Sequence, residues 1–416
     1  MNLNRISWVV LSLLLPAAMM GLAASNLFYK SAIATAFYPY VFASVILIHL
    51  RLRFRWSDVG GIVLFGALFT LFDVFVLQHR TIYVVSWASF LGMGSLVVMG
   101  LRAIWSEGEE RRVILLALIP GILFLASNHF AGYLHLWTER AHPKVFDLYL
   151  YSFDSSLHVP IAFPLGQAFA RWEVLNAISM VFYVGLPFAL AIVYAGQAVR
   201  LGVKAIPIFA AFLIAGPIGG VFYNLLPALG PVHLFGDAFP WHPLATDQAR
   251  RLLLEPVAIN GLRNAIPSLH MGWTLMAWWY SRGLSVWERS IAFAFVAFTV
   301  LATMGTGEHY FIDLVVAFPF VLFLQALCAV SLNWSDSRRL TPFLFGVIAT
   351  LVWLATLRFG VSVFWYSPVI PWVSCVATIG VTERVRQGLK DAVGGNASLG
   401  QAAVPAMNGA ATEAAR

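Results

Sequence analysis

Two short strings carry the residue types that chemistry needs. They are Asn264-Ala265-Ile266-Pro267-Ser268-Leu269-His270 and Gly307-Glu308-His309-Tyr310-Phe311-Ile312-Asp313, the two histidines 39 residues apart. Each stands where a polar stretch gives way to an apolar run. Pro267 suits the first turn of a helix, where a missing N–H is no loss. The backbone N–H groups that follow, Leu269 among them, join the positive end of the helix dipole in an anion site. Ser268 adds a hydroxyl donor, and His270 falls within the same turn. His309 and Asp313 are spaced i,i+4 and share one helix face. A carboxylate there accepts the Nδ1 proton of His309 and aims Nε2 outward, the orienting logic of a catalytic triad applied to a histidine nucleophile. His270 then serves as the general acid for a departing oxygen. Singly, each motif has an ordinary reading: a polar residue at a helix mouth, and a local hydrogen bond. Their arrival on one side of a membrane favours catalysis.

The elements that position these residues are membrane helices. Of 416 residues, 60% are hydrophobic and 11% charged, against about 25% charged in soluble domains. A bilayer accommodates that much apolar surface; a soluble core does not. About twelve apolar stretches approach the ~20 residues of a spanning helix: 6–26, 32–50, 59–77, 82–104, 113–129, 174–199, 205–226, 267–281, 290–306, 309–330, 341–358 and 361–380. The first has the basic flank and small-residue end of a signal peptide. A retained anchor is the preferred reading, and cleavage would leave eleven spans. Polar-interrupted segments at 130–173 and 227–266 hold most of the Pro, His and Asp. The chain divides into N-terminal spans (1–129), a catalytic membrane domain (130–330), two C-terminal spans (331–390) and an Ala/Gly-rich tail expected to be disordered (391–416). Cys328 and Cys375 lie inside apolar stretches, so no disulfide framework is expected. The net charge of +7 forms no basic arm, which argues against nucleic acid.

Its distribution indicates topology. With alternating spans and cytoplasmic termini, the inner loops hold Arg51, Arg53 and Arg55, then Arg102, Arg111 and Arg112, then Arg200 and Lys204. Arg282 and Arg289, Arg338 and Arg339, and Arg384, Arg386 and Lys390 continue the series, while the short outer loops hold only Lys30, Arg80 and Arg358. This is the positive-inside bias. It places His270 and His309 on the extracytoplasmic face, of the inner membrane if the source is bacterial.

The Pro-Ser-x-His and His-x-x-x-Asp pair resembles the type 2 phosphatidic acid phosphatase superfamily, specifically over 264–317. The resemblance implies an all-α, polytopic helical bundle that acts on lipid phosphate esters without metal or other cofactor. By it, His309 becomes a transient phosphohistidine, Asp313 orients it, His270 is the acid and Ser268 binds phosphate. Many lipid phosphatases place Ser-Arg seven and six residues before the nucleophile; here those positions are Ala302 and Thr303. A Lys-rich first motif is also missing from the stretch Tyr223 to Pro231. Both departures, and the His-Tyr-x-x-Asp form of the last motif, are more similar to the inositol phosphorylceramide synthase and sphingomyelin synthase branch. A phosphoryl transition state still needs donors around its equatorial oxygens, and Arg263, seven residues before His270, is the candidate clamp.

Asp147 and Asp154 flank an aromatic stretch, Leu148–Phe153, that suits the membrane interface. With Tyr310 they are candidates for substrate contact; polar-face residues are the plainer reading. His129, His135 and His142 are spaced by six and seven, unlike the i,i+4 pair of a zinc helix, so no metal site is expected. The function is therefore a membrane lipid phosphatase or phospho-head-group transferase. Water, or an inositol, sphingolipid or glycan hydroxyl, is the acceptor, and oligomeric state is open. The alternative is a polytopic carrier whose ionisable residues, Asp73 foremost, would stand near span midpoints. A vanadate-dependent oxidase is disfavoured by the missing basic clamps.

Overall fold

The computed structural model describes residues 37–78 and 84–398. The first apolar stretch with its cleavage question, Lys30, Arg80 and the tail past Ser398 lie outside those residues. The described residues are 78% helical. The helices are α1 (Phe37–Leu52), α2 (Trp56–Phe75), α3 (Val84–Trp105), α4 (Gly108–Ala141), α5 (Asp147–Ser156), α6 (Ala162–Arg171), α7 (Glu173–Val184) and α8 (Leu186–Leu201). They continue with α9 (Ile206–Leu225), α10 (Pro231–Phe235), α11 (Thr246–Arg250), α12 (Leu269–Tyr280), α13 (Val286–Gly305), α14 (Phe311–Leu327), α15 (Ser337–Phe359) and α16 (Val369–Ser398).

Five described segments are long and apolar enough to cross a membrane: Trp56–Phe75, Trp87–Trp105, Leu186–Leu225, Val286–Gly305 and Ser337–Phe359. Several expected spans are shorter helices for identifiable reasons. The stretch 174–199 is cut at Gly185, because Pro187 restarts the chain as the first turn of α8. The stretch 267–281 contributes only the 12 residues of α12, about 18 Å of helix, against a hydrocarbon layer of about 30 Å. Conversely α4 runs on for 34 residues, well past its apolar part. The last helix likewise continues beyond Lys390 to Ser398.

α14 is the centre of the half that carries the two motifs. Thirteen of its residues are buried, and it packs against α5, α9, α12, α15 and α16. Lipid tails give helices no hydrophobic reason to associate, so close backbone approach matters. At Gly346 of α15 an added Cβ would stand 2.6 Å from the Pro319 carbonyl oxygen, so α15 meets α14 backbone to backbone.

In the N-terminal half, α1 packs on α3, α4 and α8, and α2 on α3. A polar cluster ties these helices near one end. His49 Nδ1 is 2.8 Å from Ser95 Oγ, His49 Nε2 is 3.5 Å from Asp58 Oδ2, and Arg102 Nε pairs with Asp58. Buried charges inside a bilayer are tolerated when paired in this way. Asp58 stands at the start of α2 and Asp73 near its end, both buried. The centre of that helix is apolar, unlike the midpoint relay a carrier would use.

The two polar segments come together. β1 (Lys144–Val145) pairs antiparallel with β2 (Val257–Ala258), Lys144 opposite Ala258. This ladder draws α5 and the loop before α12 over one end of α12 and α14.

Candidate active site

Ser268 is the N-cap of α12, its Oγ accepting from the N–H of Met271 at 3.3 Å. Pro267 therefore lies just outside the helix, not in its first turn, because the serine cap closes the helix one residue later. The N–H of Ser268 donates to the Asp313 carbonyl at 3.1 Å, joining the two motifs through backbone. Asp313 Oδ2 accepts from the Tyr310 N–H at 2.8 Å and lies 3.3 Å from His309 Nδ1. Ser268 Oγ stands 3.2 Å from His309 Nε2. With Asp313 taking the Nδ1 proton, Nε2 keeps its lone pair and the Ser268 hydroxyl donates to it. Asp313, His309 and Ser268 are all buried.

His270, on the first turn of α12, lies within coulombic reach of His309 and of His135. Its ring stacks on Tyr183 of α7, with centroids 4.0 Å apart and planes 17° off parallel. The structure thus gathers Ser268, His270, His309 and Asp313 in one place, around the cap of α12 whose N-terminal turn includes Leu269.

The other expected site residues are engaged by the scaffold. Arg263 is buried, and its guanidinium donates to the carbonyls of His142 (3.0 Å), Ile259 (2.9 Å), Pro143 (3.5 Å) and Gly261 and to Glu139 (3.4 Å). A phosphate clamp needs donors to spare; Arg263 instead ties the loop before α12 to the end of α4. Asp147 accepts from the N–H groups of Leu229 and Gly230 (2.9 Å) and from the Tyr310 hydroxyl (3.0 Å). Asp154 accepts from the N–H groups of Phe311 (2.7 Å) and Ile312 (3.3 Å) at the start of α14. The aromatic stretch between the two aspartates is buried helix α5, not an interfacial surface. Its inward carboxylates meet backbone donors that loops and helix ends leave unsatisfied. Gly230, at φ +147°, lets the held loop reach Glu308; a Cβ there would come within 2.5 Å of the Glu308 carbonyl.

Burial pushes the carboxyl of Asp147 up to about 6 and that of Asp154 to about 8, outweighing the N–H donors that favour the ionised form. Outside these, His233 Nε2 lies 3.5 Å from Glu308 Oε2. The hydrogen bond between them raises the imidazole and lowers the carboxyl, putting an ion pair beside His309.

Asp154→Asn should match wild type most closely at low pH, where the carboxyl is neutral in both the folded and the unfolded chain and the amide mimics it. Asp154→Ala should cost roughly 1–3 kcal/mol by orphaning two buried donors. The carboxyl's raised value makes its contribution complete below its ordinary 3.8 and lost as pH rises through about 8. Asp154→Asn should therefore gain on wild type across that window in thermal melts in detergent. Equal losses for both substitutions, or no relative gain with pH, would refute the account.

Residues 148–329 match the family model of the PAP2 superfamily. The match runs from α5 through α14, under half the chain, and takes in both motifs. It supports a place in that superfamily and, with it, a phosphatase-like function on phosphoric esters, in a protein whose apolar helices fit a membrane. No curated protein and no solved structure matches the chain.

Where many PAP2 lipid phosphatases carry Ser-Arg, Ala302 and Thr303 are packed inside α13, Thr303 bonding back to the Thr299 carbonyl at 2.8 Å. His135 stacks on Tyr223 with centroids 6.0 Å apart, and His142 Nε2 lies 2.9 Å from Asn224 Oδ1. The His129 side chain lies outside the described residues. Among the described residues no group of three or more His, Cys, Asp or Glu is placed to hold a metal. The sequence reading missed Tyr183 and His233. Tyr183 comes just before the Gly185 break and His233 just after Gly230-Pro231. Those breaks were the available signals, but no spacing links either residue to the motifs.

Proposed function

We propose that the protein is an integral membrane lipid phosphatase or phospho-head-group transferase that works through a phosphohistidine on His309. The observation that carries this reading is the relay in which Asp313 holds Nδ1 and the Ser268 hydroxyl meets Nε2 at 3.2 Å. A phosphate ester at the cap of α12 turns the Ser268 hydroxyl onto an equatorial oxygen and exposes the Nε2 lone pair. Nε2 attacks phosphorus in line; the N–P bond forms as the ester P–O bond breaks. His270, stacked on Tyr183, gives its proton to the departing oxygen. It then takes a proton from water or an alcohol, whose oxygen attacks phosphorus and releases His309. The N-terminal turn of α12 and the Ser268 hydroxyl stabilise the transition-state oxyanions.

Asp147, Asp154, Tyr310 and Arg263 hold the frame of this site. The lack of the Ser-Arg pair favours the inositol phosphorylceramide and sphingomyelin synthase side, with an inositol, sphingolipid or glycan hydroxyl as acceptor. The alternation of basic loops supports an extracytoplasmic site and cytoplasmic termini.

One experiment tests the whole reading. Purified protein is incubated with labelled lipid phosphates, with and without candidate alcohols. Free phosphate or a new phospholipid should appear, unaffected by a chelator and blocked by vanadate, whose pentacoordinate form resembles the in-line transition state. In sealed, oriented vesicles an impermeant aryl phosphate should be consumed only from the extracytoplasmic side. Loss of turnover in chelator with recovery on adding magnesium or zinc would sink the mechanism, and consumption from the cytoplasmic side would overturn the topology.

A further inference from the structure

A second cavity, of about 910 Å³, lies at the other end of the helices that carry the catalytic motifs. Trp279 and Tyr280 at the end of α12, and Gln325 and Cys328 at the end of α14, form part of its wall. Helix rise places it about 15–22 Å from His270 and Asp313, so it is not an extension of the active site. Its size falls in the range of roughly 300–1,000 Å³ usual for ligand sites.

Five basic residues line it: Arg200, Lys204, Arg282, Arg386 and Lys390. They come from the end of α8 and the turn after it, from the turn after α12, and from α16. Among the described residues no carboxylate lines the cavity. Arg386 is paired with the nearby Glu383 at 2.8 Å and lies over the Trp279 ring at 4.5 Å. Arg200 is aimed by Gln197 Oε1 (3.2 Å) and the Arg282 carbonyl (3.3 Å). The positive-inside bias accounts for basic residues on this face, but it would be served equally by side chains spread outward into the head-group layer. Here the five line one concavity, where Arg200, Lys204 and Lys390 add to a positive field that an anion would meet. Leu201, Pro207, Ile208 and Leu389 add apolar surface to the wall, beside the polar Gln197, Gln325 and Ser331. A soluble anion has no use for that surface, whereas an acyl chain does.

We propose that this cavity binds the phosphate headgroup of an anionic membrane lipid, with acyl chain against its apolar wall, in the leaflet opposite the active site. Basic pockets between membrane helices recognise lipid phosphates in this way. The proposal does not rest on the phosphoryl-transfer reading.

The test uses full-length, delipidated protein in detergent. It is titrated with short-chain phosphatidylglycerol, short-chain phosphatidylcholine and glycerol 3-phosphate, and complexes are counted by native mass spectrometry. Phosphatidylglycerol should bind best. Lys204→Gln with Lys390→Gln should weaken it by at least about tenfold, and Lys204→Arg with Lys390→Arg should restore it. An unchanged thermal melt and size-exclusion profile of the double Gln variant verify that it folds; if it does not fold, the wild-type preference among the three ligands decides. Equal binding of phosphatidylcholine, or undiminished binding by a folded Gln variant, overturns the proposal. Glycerol 3-phosphate binding as tightly as the lipid overturns the assignment to a lipid.

Discussion

His309→Ala is expected to abolish turnover of every phosphate ester, for hydrolysis and transfer alike, by on the order of 10⁴–10⁶-fold. Loss of a covalent nucleophile removes the intermediate itself, so neither a better leaving group nor a better acceptor restores the rate. The burial of His309 and its placement between Asp313 and Ser268 leave no room for a neighbouring imidazole to take over. Asp313→Asn should lose less, about 10²–10⁴-fold, because the nucleophile stays while an amide donor can no longer accept the Nδ1 proton and the tautomer is mis-set. The check is rapid-quench labelling with a ³²P-substrate. Wild type should yield an acid-labile, base-stable phosphoenzyme, Asp313→Asn a slower one and His309→Ala none. Label on His309→Ala would remove the phosphohistidine from the mechanism.

His270→Ala should fail in a different and diagnostic way. The nucleophile survives, and only protonation of the departing oxygen is lost. General acid catalysis contributes typically ~10²–10⁴-fold and matters least for good leaving groups. An alkyl phosphate should therefore slow by that factor, while an aryl phosphate with an acidic phenol keeps much of its rate. The aryl-to-alkyl rate ratio should rise by about 10²-fold or more over wild type. Tyr183→Phe should keep the ratio near wild type, because the ring that stacks on His270 at 4.0 Å remains. A wild-type ratio in His270→Ala would reassign the proton donor.

The membrane class and the candidate residues were legible in the chain because each depends on local pattern. Twenty apolar residues in a row have no other solvent than lipid. A His and an Asp four apart share a helix face whatever surrounds them, and a serine before an apolar run caps the helix it opens. These facts put His309 beside Asp313 and Ser268 at a helix cap; that the two strings meet was expected from the topology and the family resemblance. The number of long helices was not readable in this way. Hydropathy sees the stretch 267–281 as one span, but Ser268 caps it late and the helix stops at Tyr280, so it covers only part of a bilayer's thickness.

What tertiary structure alone decided is which polar groups face the reaction and which hold the frame. Arg263, Asp147 and Asp154 are the residue types a phosphate site would recruit, and by sequence they stand near it. Loops crossing a buried helix end leave backbone donors and carbonyls without partners, and in an interior without water those groups claim the nearest charge. The carbonyls around the loop before α12 took the guanidinium of Arg263. The N–H groups of Leu229, Gly230, Phe311 and Ile312 took the two carboxylates of α5. Apart from the Ile259 and Gly261 carbonyls that Arg263 meets locally, those demands arise from contacts 80 or more residues apart in the chain, and no local spacing encodes them.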